Sequence, residues 1–170
     1  MLSSSASSSV TLRAVEEDDI EIFFEHQLDE EACESAGFMN PRPADASAYR
    51  LHWKNLLADP SVKTRTIVFH RPKGLTPGLV VGHIASFCFD GQREVSYWLG
   101  RDHWGHGIGT AAVGLALGQI QDRPLQARVL ANNPASIRVL QKNGFQEVSR
   151  SKRFALNGVL QSEEIVFQFA

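Results

Sequence analysis

One stretch constrains the fold of this chain more than any other: EVSYWLGRDHWGHGIGTAAV, residues 94–113. REVSYWL alternates with the period of a β-strand, which places Glu94, Ser96 and Trp98 on one face and Val95, Tyr97 and Leu99 on the other. The strand runs into a loop with glycines at 105, 107 and 109, and a helix is predicted after Gly109, ending near Ile120. A helix normally collects Asp and Glu in its first turn, because the N-terminal end of its dipole is positive. This one has no carboxylate between Gly105 and Ile120. An unfilled positive end behind glycines, whose missing side chains let a ligand approach free N–H groups, is an anion-binding arrangement. A tight turn into a buried helix is the plainer alternative.

The rest of the chain surrounds this unit with alternating elements. Residues 10–15 alternate weakly, which allows a strand there. DDIEIFFEHQLDE sets Ile20, Phe23, Phe24 and Leu28 on one helical stripe, with Asp18 or Asp19 as cap. Pro41 and Pro43 break the chain, and DASAYRLHWKNLLADP then spaces Tyr49, Trp53, Leu56 and Leu57 as a helix that stops before Pro60. Strands are expected over 64–70, 79–89 and 125–130, with a short helix over 134–143. Segments 146–156 and 161–169 flank Asn157-Gly158, a hairpin-turn pair. No repeat or linker divides the chain. The expectation is a flexible serine-rich tail over residues 1–9, MLSSSASSS, and one mixed α/β domain with antiparallel hairpins over 10–170.

Composition excludes several classes of function. No apolar run approaches the ~18 residues that would span a bilayer, and the N-terminal serines lack the basic and apolar regions of a signal peptide. Two cysteines make no disulfide framework, so a cytoplasmic, reduced setting is the default, and Cys88 in the apolar run 85–89 is expected to be a buried thiol. A net charge of -2 argues against general nucleic-acid binding. The charge is uneven: residues 1–90 carry 13 acids against 8 bases, whereas residues 91–170 carry 6 against 9. Ten of those acids lie between Glu16 and Glu34, which gives either a solvated helix surface or a rim that draws a cationic substrate.

The glycine loop alone leaves its ligand open. Gly107, Gly109 and Ala112 fit G-x-G-x-x-A, but a dinucleotide site wants its glycines directly after a parallel strand and an acidic residue about 20 positions on. Residues 100–106 intervene here and the next strand ends in Leu130-Ala131-Asn132. No Lys follows the glycines as a nucleoside-triphosphate loop requires. A second motif, ANNPASIRVLQKNGF over 131–145, reads as a self-contained helix with Asn133 as cap, Pro134 first, Lys142 in the last turn and Gly144 just past the end.

Taken together, EVSYWLGRDHWGHGIGT and NNPASIRVLQKNGF resemble the GCN5-related N-acetyltransferase (GNAT) superfamily. More narrowly they resemble its branch of ribosomal-protein N-terminal acetyltransferases. The resemblance spans nearly the whole domain and implies a mixed, mostly antiparallel sheet with helices on both faces and a cleft where two strands splay apart. It implies acetyl-CoA as co-substrate, its pyrophosphate on Trp104, Gly105, His106, Gly107, Ile108, Gly109 and Thr110. The pantetheine would lie beside Tyr97, Trp98 and Leu99, and the Asn133 helix would close the cleft. Arg101, Arg138 and Lys142 are candidate phosphate contacts. Trp104 stands where the wider family often has Gln or Arg, and Ala111 where the branch often has Glu.

Amide formation from a thioester needs a neutral amine, yet an alkyl ammonium titrates near about 10.4, so a base must accept its proton. Glu94 matches a base of some family members; its plainer reading is a surface carboxylate. The phenol that the wider family often places seven residues after the capping Asn is Leu140 here. Ser136 is the candidate acid by resemblance, or else a locally satisfied hydroxyl of the helix's first turn. Main-chain N–H groups near Trp98 and Leu99 would polarise the carbonyl. His103 and His106 lie in a loop with no evident third ligand, so no metal is expected. The acceptor is expected to be a primary amine, entering from the side of the first two helices and the late hairpin, with Gly37-Phe38-Met39 and Trp53 as possible lining. The chain would act as a monomer or homodimer, without membrane or general nucleic-acid partners. An acyl-CoA-binding module without turnover, or a nucleotide-binding regulator, are the alternatives.

Overall fold

The β-branched and aromatic residues between 63 and 99 fold as three consecutive antiparallel strands, and the rest of the sheet grows from them. The computed structural model describes residues 9–36, 45–71, 77–154 and 160–170. Its strands are β1 (Val10–Arg13), β2 (Lys63–Phe69), β3 (Leu79–Phe89), β4 (Gln92–Leu99), β5 (Leu125–Leu130), β6 (Gln146–Phe154) and β7 (Leu160–Phe169). They form one sheet in the order β1-β2-β3-β4-β5-β7-β6. Every neighbouring pair is antiparallel except β4 and β5. The helices are α1 (Glu17–His26), α2 (Glu30–Ala36), α3 (Ala46–Ala58), α4 (Ile108–Gln119) and α5 (Pro134–Lys142).

Residues opposite one another across a ladder share a face. Phe87 lies opposite Glu94 and His83 opposite Trp98, and on this face α1, α2 and α3 pack. Val95 and Leu99 face the other way, into a core shared with Ile108, Ala112, Val113 and Ala116 of α4 and Leu140 of α5. The sheet therefore carries helices on both faces, as expected. The alternation read from REVSYWL is the alternation that separates the two layers.

Several local expectations are corrected. The cap of α1 is Glu16, not Asp18 or Asp19. Asp19 is 2% exposed and turns inward, accepting hydrogen bonds from Arg13, Thr66 and the Glu16 main chain. Leu28 lies past the end of α1 and is exposed, as is Leu57. Trp53 is a core residue, 2% exposed and buried with Ile20, Phe23 and Tyr49. Cys88 is exposed near the end of β3, and the buried thiol is Cys33. The short helix α2 went unread because seven residues give too few turns for periodicity to show. Just ahead of β1, the Ser9 carbonyl accepts the His70 N–H at 2.7 Å. Residues 1–8, Gly37-Phe38-Met39 and the Asn157-Gly158 turn lie outside the described residues. Among the described residues no helix is long and apolar enough to cross a membrane.

Candidate active site

The parallel pairing of β4 with β5 stops after two rungs, Arg93 with Leu125 and Glu94 with Gln126. Beyond Glu94 the strands diverge, and the edge of β4 from Val95 to Leu99 faces a cleft of about 610 Å³. The cleft is walled by β4, β5, the glycine loop, the start of α4, one side of α5 and residues of α2.

The glycine loop opens onto this cleft. Gly105 and Gly107 have φ of +75° and +76°, a left-handed backbone that disfavours any side chain. Gly107 is the N-cap of α4, and with no side-chain cap and no acid in the first turn the leading N–H groups of the helix are left to a ligand. A Cβ at Gly109 would meet the Tyr97 ring and Val139 at 3.4 Å, so the helix start is seated closely on both. Asn143 fixes the two helices together, donating to the carbonyls of Thr110 at 3.1 Å and Val139 at 2.9 Å. α4 begins at Ile108, two residues earlier than expected.

Asn133 caps α5 as expected, accepting the Ser136 N–H at 3.1 Å. Its amide also donates to the carbonyl of Ser35 in α2, at 3.1 Å. The Ser136 hydroxyl lies 3.1 Å from the Tyr97 hydroxyl. Arg138 and Lys142 are exposed, and they project at the cleft rim one helical turn apart. Trp104 is pinned by its indole N–H to the Leu99 carbonyl at 3.1 Å.

Two expected contacts are not brought to the cleft. His106 is exposed and does not line it. Arg101 is engaged elsewhere, in ion pairs with Asp29 at 2.8 Å and with Glu31. Part of the acidic run thus neutralises a base of this chain. Among the described residues no group of His, Cys, Asp and Glu is arranged to hold a metal ion.

Glu94 sits at the fork where the strands part, and it is buried rather than a surface carboxylate, 4% exposed. Arg128 of β5 donates to it at 2.7 Å and reaches Glu164 of β7 at 3.2 Å. The Arg128 guanidinium also lies 4.9 Å from the centre of the exposed Phe89 ring. Nothing local in the sequence signals Arg128 or Glu164, since strand pairing alone brings 94, 128 and 164 together. On the same face His83 lines the cleft among Phe23 and Trp53, where burial pushes its imidazole down to about 3. Its ring is therefore neutral, and neither nitrogen has a partner among the described residues.

Comparison with known proteins accords with this geometry. The family model for the acetyltransferase (GNAT) domain matches residues 9–146. No curated protein matches the sequence. Among solved structures, a spermidine N-acetyltransferase from Vibrio cholerae, in complex with CoA and spermine, superposes with a TM-score of 0.79 at 13% identity, covering 95% of both chains. The ribosomal L7/L12 alpha-N-protein acetyltransferase RimL, in complex with coenzyme A, gives 0.77 at 18% identity over 96% of this chain and 95% of its own. RimJ of Mycobacterium smegmatis, in complex with CoA-disulfide, gives 0.73 at 20% identity over 94% and 81%. At these identities the superpositions speak to the fold.

Proposed function

The chain belongs to the acetyltransferase (GNAT) family, and from that premise we propose that it moves an acetyl group from acetyl-CoA directly to a primary amine, with no covalent enzyme intermediate. The observation that carries this reading is the α4 N-terminus, glycine-flanked and uncapped, opening onto the cleft where β4 and β5 part. Acetyl-CoA supplies an acetyl group activated as a thioester. The N–H groups of residues 108–110 would bind its pyrophosphate, with Arg138 and Lys142 at the rim adding charge for the phosphates. The free edge of β4 near Trp98 and Leu99 would hold the pantetheine and polarise the carbonyl. Structural relatives solved with CoA support the donor.

The two faces of β4 divide the proton chemistry. Glu94 lies on the α1–α3 face, where the acceptor would enter, and takes the amine proton. Ser136 lies on the α4–α5 face beside Tyr97 and meets the leaving thiolate. The acceptor is an amine of a protein N-terminus or of a small molecule; the relatives above act on both kinds.

The Glu94–Arg128 ion pair favours one rival, an acyl-CoA-binding module in which that carboxylate serves structure alone. Thermal shift with CoA, NAD and ATP, followed by thiol release from acetyl-CoA across a panel of amines, separates the readings. Stabilisation by CoA together with amine-dependent thiol release supports acetyl transfer. CoA stabilisation without thiol release supports the module, and stabilisation by NAD or ATP instead supports a nucleotide-binding regulator.

A further inference from the structure

The chain has two tyrosines. Tyr49 is buried in the α1–α3 cluster, whereas Tyr97 reaches the cleft from β4. Its ring lies beneath the first turn of α4, close enough that a Cβ at Gly109 would touch it at 3.4 Å. Its hydroxyl ends 3.1 Å from the Ser136 Oγ. One side chain thus spans from the start of α4, behind the glycine loop, to the first turn of α5. The position seven residues after Asn133 holds Leu140, 3% exposed and packed in the core, so that helix offers no phenol of its own.

A serine hydroxyl carries a single hydrogen. If Ser136 donates it to Tyr97, nothing remains for a third atom; if Tyr97 donates, the Ser136 hydrogen is free to turn into the cleft. Burial pushes the Tyr97 phenol up, with the Ser136 hydrogen bond opposing only in part, so the phenol keeps its proton at neutral pH. The Ser136 main chain is already fixed by the Asn133 cap. Resting on the acetyltransferase reading, we propose that Tyr97 is a positioning residue for the leaving thiol: its phenol donates to Ser136 Oγ and directs the one Ser136 hydrogen onto the CoA sulfur. As the C–S bond breaks, its electron pair stays on sulfur and the Ser136 O–H donates to the thiolate. No proton leaves Tyr97, and the amine proton departs through Glu94 to solvent.

The product CoA is itself the probe, so no acceptor is needed. The ultraviolet absorbance of the thiolate is titrated against pH for CoA bound to the wild type, Tyr97→Phe, Ser136→Ala and the double variant. In the wild type the bound thiol should titrate about one pH unit below free CoA, the size of a charge-assisted hydrogen bond. Ser136→Ala should abolish that shift and Tyr97→Phe should remove about half of it. In the Ser136→Ala background Tyr97→Phe should add nothing, because Tyr97 acts through Ser136. The proposal is overturned if Tyr97→Phe leaves the bound thiol where the wild type has it, or moves it equally in both backgrounds. Should Tyr97→Phe fold poorly, Ser136→Ala against Ser136→Thr tests the hydroxyl through which Tyr97 would have to act, since threonine keeps it; no difference between them overturns the proposal too. Absence of CoA binding by the wild type would defeat the acetyltransferase reading itself, and is told apart from these results by direct calorimetry.

Discussion

Replacing Glu94 with Gln tests the chemistry with little disturbance to the fold. The side chain is 4% exposed, so an unpaired charge left behind there would be expensive. Gln leaves none, because Arg128 keeps Glu164 at 3.2 Å and a Gln oxygen can still accept from the guanidinium. The Arg128 side chain is also 32% exposed, which lets water share the load. The stability loss should therefore be about 1 kcal/mol, below the ~3–5 kcal/mol for orphaning a buried ion. The rate is another matter. A positioned base contributes about 10²–10⁴-fold, so thiol release with a responsive amine at pH 7 should fall by at least about a hundredfold. Part of the rate should return towards high pH as the amine deprotonates unaided, near about 8 for an α-amine and about 10.4 for an alkyl amine. The assay is initial thiol release from pH 6.5 to 10 on variant and wild type, with urea unfolding as the control. An unchanged rate with an unchanged pH profile would remove Glu94 from the mechanism and leave its ion pair as architecture.

Further expectations follow from the same contacts. Gly107→Ala forces a side chain into φ +76°, which should cost about 1 kcal/mol in urea unfolding and weaken CoA in calorimetry; unchanged affinity would detach the loop from the phosphates. Burial acts to raise the Asp19 carboxyl, but hydrogen bonds from Arg13, Thr66 and the Glu16 main chain outweigh it and hold it below its usual range. Stability from Asp19 is thus present above its unfolded value near about 3.9 and lost as pH falls through the folded one; Asp19→Asn should remove about 3 kcal/mol at pH 7 and much less at pH 2, by chemical denaturation. Burial depresses His83 to about 3. Its contribution is full above the unfolded value near about 6.5 and declines below it, by about 2 kcal/mol between pH 7 and 5, a slope that His83→Leu should flatten in urea unfolding.

The parts of the site built from contiguous residues were legible in the sequence. Alternation over 94–99 assigned side chains to faces, and the α5 helix announced its cap, its proline and its terminal glycine, which indeed has φ +86°. The glycine loop stood out because a charge-free first turn is conspicuous in sequence, and α4 does begin there with no side-chain cap. What stayed hidden depends on packing between distant segments. Arg128 meets Glu94 across 34 residues, and Asn133 reaches Ser35 across 98, through pairings that no local pattern encodes. Arg101 resembled a phosphate contact until Asp29, just ahead of α2, and Glu31 within it supplied its acids. Trp53 could be read as lining or as core from its spacing alone, and tertiary packing made it core. Cys88 shows the reverse, an apolar neighbourhood in sequence that the end of β3 carries into solvent.

The most direct test of the proposed reaction is mass spectrometry of an amine panel, from N-terminal peptides to polyamines, incubated with the enzyme and acetyl-CoA while free thiol is counted. The expected result is one amine class gaining an acetyl group, with one thiol released per acetyl transferred and the transfer lost in Glu94→Gln. CoA bound tightly in calorimetry with no amine acetylated and no thiol released would contradict it.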